Sequence, residues 1–165
     1  MFDVVFVVLS NAIKRAKPLI SLGVGSSPQF FLKLWSFILA VSINEFKKAL
    51  NSLNEAIRLY DLTLQQPVQL KANRDACIQR FEFCIEMAWR LAKKIMGSAT
   101  TAPNTIIREM AQNNLINDPN IWFSFIEARN KTSHSYDEHI AIEVFNKIKE
   151  FVPEAALLYE KLNRS

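Results

Sequence analysis

The sequence predicts an all-α protein, an antiparallel up-and-down bundle of about five helices. Three observations lead there. Half of the residues are hydrophobic while only three of 165 are glycine, a composition short of the turn residues that strand-rich folds need. From residue 43 onward apolar residues recur every three or four positions, the spacing of one helical face. The breaks between these stripes are short, which makes neighbouring helices antiparallel. A chain of 165 residues has the size of one domain and is long enough to bury a core.

Residues 1–42 stand apart as an atypical apolar extension, and the helical bundle occupies residues 43–165. Residues 4–9 form a short β-branched run, residues 21–28 read as a linker, and residues 30–43 are apolar but interrupted by Lys33. A stretch of that length reads as a core or interfacial helix, so no stable membrane insertion is expected. The opening Met-Phe-Asp lacks the positive region of a signal peptide. The only methionines after Met1 are Met87, Met96 and Met110, so a start further in would use a non-Met codon such as that of Val41. N-terminal sequencing of the native protein checks that expectation.

The first helix of the bundle carries Phe46, Leu50, Leu53, Ile57, Tyr60 and Leu64 on one stripe and ends at Gln65-Gln66-Pro67. The second runs over about 70–96 and buries Cys77, Phe81, Cys84, Ile85, Ala88, Leu91, Ala92 and Ile95. Its other face carries Arg80, Glu86, Arg90, Lys93 and Lys94, with Glu86 and Arg90 spaced as a favourable pair, and Gly97-Ser98 closes it. Pro103 opens a shorter helix to about Asn114, with Ile106, Ile107 and Met110 inward. Asp118 caps and Pro119 opens a fourth, which buries Ile121, Trp122, Phe125 and Ile126. The last covers about 137–162 on a stripe of Ile140, Val144, Ile148, Phe151, Ala155, Leu158 and Leu162. Pro153 within it removes one backbone hydrogen bond and is expected to kink it.

Charge excludes one class of function. Lys14, Arg15, Lys17 and Lys33 against Asp3 leave +3 of the formal +4 in residues 1–42, so the bundle is nearly neutral and is not a nucleic-acid-coating domain by charge. Cys77 and Cys84 lie seven apart on one helical face, with no CxxC or Cys/His spacing beside them. They read as small core hydrophobes in a reducing, cytoplasmic compartment, and no metal or cofactor is expected. The Asn130-Lys131-Thr132 sequon is then coincidental.

Chemistry concentrates in Arg129-Asn130-Lys131-Thr132-Ser133-His134-Ser135-Tyr136, directly after the fourth apolar stripe. Arg129 follows Phe125 by four residues and Asn130 follows Ile126 by four, which places both on the buried side. On an unbroken helix Arg129 and His134 would point about 140° apart. They converge only if the helix ends between them, and Ser135 with Glu138 reads as a capping box for the next helix, so a junction at residues 132–135 is expected. Arginine and histidine without a Gly-rich phosphate loop suit RNA cleavage by the adjacent 2′-hydroxyl. A histidine moves a proton near neutral pH while a guanidinium holds the phosphate through paired hydrogen bonds. The same residues also fit a plain junction, with Arg129 satisfying carbonyls, His134 complementing the helix dipole and Tyr136 an anchor with its hydroxyl in water. Trp89 and Trp122 read as core aromatics, and His139 as a solvated helix residue.

Arg-x4-His-x-Tyr at Arg129, His134 and Tyr136, within Ile-Trp-Phe-x5-Arg-Asn-x3-His-x-Tyr-Asp-Glu, resembles the HEPN superfamily. More closely it resembles the branch described as nucleotidyltransferase substrate-binding proteins. The segments from Ile78 to Phe83, Ala88-Trp89, Ile107-Arg108-Glu109 and Leu115-Ile116 are similar to that branch too, over about residues 43–162. The resemblance implies a dimeric helical bundle that partners a small nucleotidyltransferase encoded nearby, in a toxin–antitoxin arrangement. Carried over, Arg129 and His134 are the candidate catalytic pair of a metal-independent ribonuclease acting on RNA, and Asn130 is an accessory. Tyr136 is the candidate acceptor of AMP, whose phosphate would lie against Arg129 and Lys131. The alternative is a non-catalytic subunit that presents a nucleotide or substrate to the nucleotidyltransferase.

Overall fold

The computed structural model describes residues 42–164, and among them there are five α-helices, one 3-10 turn and no strand. Helix α1 spans Ile43–Leu62, α2 Pro67–Met96, α3 Pro103–Gln112, α4 Pro119–Lys131 and α5 Glu138–Arg164. The turn Thr132–His134 follows α4 directly. The β-branched run, the linker and all but the last two residues of the apolar stretch 30–43 lie outside the described residues.

Each helix starts and stops for a local reason. Ser42 caps α1 by accepting the Glu45 N–H at 3.2 Å. Thr63 ends it, its hydroxyl donating to the Tyr60 carbonyl at 2.9 Å while accepting from Asn73 of α2 at 3.0 Å. Leu64 therefore lies beyond the helix and is 56% exposed, not the end of the stripe. Pro67 opens α2 three residues before the expected start, because a proline at the first helical position gives up only an N–H that has no partner there anyway. Gly97, at φ 68°, closes α2 in the left-handed conformation, and the Ser98 N–H returns to the Lys93 carbonyl at 3.1 Å. Asn114, at φ 57°, makes the corresponding reversal after α3. Asp118 caps α4 by accepting the Asn120 N–H at 2.8 Å, with Pro119 as the first helical residue.

The cap of α5 differs from the sequence reading. Asp137, not Ser135, accepts the His139 and Ile140 N–H groups, at 2.8 and 3.4 Å. Its carbonyl also takes the first helical bond, from Ala141 at 2.9 Å. Glu138 does not reach back, because Arg74 holds its carboxylate. Further on, α5 passes through Pro153 as one continuous helix.

Helix α2 packs against all four other helices. Its core side chains Cys77, Phe81, Cys84, Ile85, Ala88, Leu91 and Ala92 are joined by Ile78, Met87 and Trp89. Where α2, α4 and α5 meet, Phe151 places its ring edge-to-face with Phe81 at 5.1 Å, Phe125 at 5.4 Å and Trp122 at 5.9 Å. This cluster fixes the inner face of α4, the helix that leads into the polar junction. Ile95 and Ile121, expected inside, are instead exposed, since Leu91 and Ala92, and Trp122 and Phe125, already fill the inner face beside them.

Candidate functional site

Helix α4 ends at Lys131, and the 3-10 turn carries the chain through His134 to the cap of α5, so a junction stands where the sequence predicts one, at residues 132–135. Backbone bonds make it compact: the Ser135 N–H donates to the Thr132 carbonyl and the Asp137 N–H to the His134 carbonyl, both at 3.0 Å. On the inner side Ala128 and Thr132 continue the line of Trp122 and Phe125. Arg129, Asn130, His134 and Tyr136 are all exposed, Tyr136 by 84%.

The placement of Arg129 and Asn130 on the buried side is thus not what the structure has. Ala128 and Thr132 occupy the inward positions, and the long arginine stem carries its charge to water. Among the described residues the Arg129 guanidinium has no ion-pair or hydrogen-bond partner. Lys131 differs: it pairs with Glu143 at 2.7 Å and Glu127 at 3.0 Å, and hydrogen bonds to these carboxylates raise its pKa above the ordinary lysine range. The rings of His134 and Tyr136 stand edge-to-face with centroids 6.1 Å apart. Asn130 contributes its carbonyl to the Ser133 hydroxyl at 3.1 Å.

Two α2 residues that the sequence reading left out support this junction. The Thr132 hydroxyl lies against both the Glu82 carboxylate and the Arg129 carbonyl, the latter at 2.7 Å. Arg74 is buried and grips Glu138 through both terminal nitrogens, one of them at 2.7 Å. That double hydrogen bond holds the Glu138 carboxyl below the usual carboxylate range and raises the arginine in turn. The signal for Arg74 was present, because it lies three residues before Cys77 and seven before Phe81, on the apolar stripe of α2. An open depression of about 450 Å³ lies beside the Glu82–Thr132 contact, lined by Asp75, Ile78, Gln79, Glu82, Thr132 and Ser135 among others.

Cys77 and Cys84 are buried and unbridged, and loss of solvent pushes their thiols up to about 11 and about 12. Among the described residues no cluster of three His, Cys, Asp or Glu side chains is arranged to hold a metal ion, and no helix is long and apolar enough to cross a membrane.

An all-α bundle that displays Arg129, His134 and Tyr136 at one helix junction is the arrangement that the HEPN resemblance implies. Residues 41–164 match the family described as nucleotidyltransferase substrate binding protein like, and the chain belongs to that family. A protein of Haemophilus influenzae named "Probable ribonuclease HepT" is 33% identical over 97 residues, a match that spans 53% of this chain and 65% of that relative. Among solved structures, a Haemophilus influenzae protein described as a substrate binding domain of a nucleotidyltransferase superposes with a TM-score of 0.65 at 26% identity. That alignment covers 74% of this chain and 99% of the other. A Thermus thermophilus protein gives 0.60 at 26% identity, covering 71% and 98%.

Proposed function

We propose that this chain is the partner of a small nucleotidyltransferase and a metal-independent ribonuclease that the partner silences by adding AMP to Tyr136. The observation that carries the reading is the junction itself. An unpaired guanidinium, an imidazole and a phenol are all exposed within eight residues there, on a chain of a family described by its relation to nucleotidyltransferases. The relative named as a ribonuclease adds support.

In the cleavage, the ribose 2′-oxygen attacks the adjacent phosphorus and the bond to the 5′-oxygen breaks, leaving a 2′,3′-cyclic phosphate and a 5′-hydroxyl. His134 takes the proton from the 2′-hydroxyl or gives one to the departing 5′-oxygen. Arg129 holds the non-bridging oxygens as charge builds, and Asn130 positions the strand. The single histidine of each junction serves one of the two proton transfers, so a homodimer that brings two junctions together supplies both.

In the silencing step, the Tyr136 hydroxyl oxygen attacks the α-phosphorus of ATP, pyrophosphate leaves and the phenolic proton passes to solvent. Because Glu127 and Glu143 already hold Lys131, the new phosphate pairs with Arg129, the cation that would otherwise hold RNA. The buried free thiols suit a reducing, cytoplasmic setting.

The family description favours a second reading, in which the chain presents substrate to the partner and cuts nothing. Growth on expression alone separates the two: a ribonuclease arrests cells, and the co-expressed neighbour relieves the arrest. Mass spectrometry of the co-expressed protein is expected to show AMP on Tyr136, and Tyr136→Phe to escape control. Partner binding with an unmodified Tyr136 and no toxicity would establish the presenting module instead.

A further inference from the structure

We propose that Arg74 and Glu82 are positioning residues that pin, through Glu138 and Thr132, both ends of the segment carrying His134 and Tyr136 to one face of α2. The inference rests on the reading of this junction as the functional site.

The segment needs such support. Ser133, His134, Tyr136 and Asp137 are exposed, so burial does little to hold them. Among the described residues neither the His134 imidazole nor the Tyr136 hydroxyl makes a hydrogen bond, and their contact is ring against ring. Where these groups sit is therefore set by the backbone between Thr132 and Glu138.

Both ends of that backbone are tied to the same helix. Arg74, Ile78 and Glu82 follow one another at four-residue steps, so they share a face of α2, and the outer two lie about 12 Å apart along it. Ile78 is buried between them. At one end Thr132 is 7% exposed and its hydroxyl meets the Glu82 carboxylate. At the other Arg74 is 6% exposed and grips Glu138 in the first turn of α5 with two parallel bonds. A planar fork on a carboxylate fixes direction as well as distance, which a lysine in its place would not. The Arg74 Nε is buried without a partner among the described residues, so this guanidinium is committed to Glu138 alone.

Hydrogen exchange of the full-length protein, with RNA-cleavage kinetics beside it, tests the inference. In Glu138→Gln, Arg74→Met and Thr132→Val, the Ser135 and Asp137 amides are expected to lose at least tenfold in protection, while amides in the middle of α2 and α4 keep theirs. Thr132→Ser retains the hydroxyl and is expected to restore wild-type protection. In cleavage, Thr132→Val is expected to lower kcat at least tenfold with KM changed less than twofold, and Thr132→Ser to recover it. Unchanged protection in Glu138→Gln and Thr132→Val would overturn the proposal. So would an equal loss across all helices, which would make the pairs ordinary stabilisers. An inactive wild-type protein would refute the nuclease reading alone, and the exchange pattern would still decide whether the two ties hold the segment.

Discussion

Replacing Phe151 by leucine isolates the aromatic cluster that seats α4. Leucine keeps most of the buried volume but removes three edge-to-face pairs, with Phe81, Phe125 and Trp122. Each such pair contributes about 0.5–1.5 kcal/mol beyond its buried area. The three share one ring and are not independent, so the expected loss is about 2–3 kcal/mol. Phe151→Ala also leaves a cavity and is expected to cost about 3–5 kcal/mol. With a urea slope of about 1.5–2 kcal/mol per molar for a domain of this size, the leucine variant should unfold about 1–2 M earlier. Leu157→Ala serves as the control, since Leu157 is 51% exposed and its loss is expected to cost less than about 0.5 kcal/mol. A Phe151→Leu midpoint within the scatter of that control, at an unchanged slope, would show that the rings do not hold α4.

Three further outcomes are expected. Cys77 and Cys84, whose thiols stay protonated well above neutral pH, should resist alkylation at pH 8 in the native protein and react at the unfolding rate, as timed labelling would show. The depressed Glu138 carboxyl stabilises the junction above the ordinary carboxylate pKa and loses that effect as pH falls through its own lower value. Protection of the Asp137 amide should therefore be flat from neutrality down to the ordinary carboxylate range and fall below it, a dependence that Glu138→Gln removes. Light scattering at micromolar concentration should give the mass of two chains, and a monomer there would count against a site assembled from two junctions.

The helices were legible because their inner faces are continuous. Phe46 to Leu53, Cys77 to Ala92 and Val144 to Leu162 keep one apolar residue on every turn, and Pro103, Pro119 and Gly97 mark the ends. Pro67 was read as a stop, although a proline equally opens a helix. The junction was legible from Arg129 to Tyr136, but its support was not. Arg74 and Glu82 lie fifty or more residues away in sequence, and although Arg74 falls on the apolar stripe of α2, only the fold names Glu138 and Thr132 as their partners. The Ser135 capping box failed for the same reason: Asp137 stood nearer the first helical turn, and a distant arginine claimed Glu138. Side-chain length explains Arg129, since helical spacing fixes where a Cβ points and not where a guanidinium comes to rest.

The most direct test of the proposed function is RNA cleavage by the purified protein in excess chelator, comparing the wild type with His134→Ala and Arg129→Ala. The wild type should cut and leave 2′,3′-cyclic phosphate ends, while each variant keeps its helicity and loses about 10²–10⁴ in rate. Cleavage that survives both substitutions, or that chelator abolishes, would contradict the mechanism.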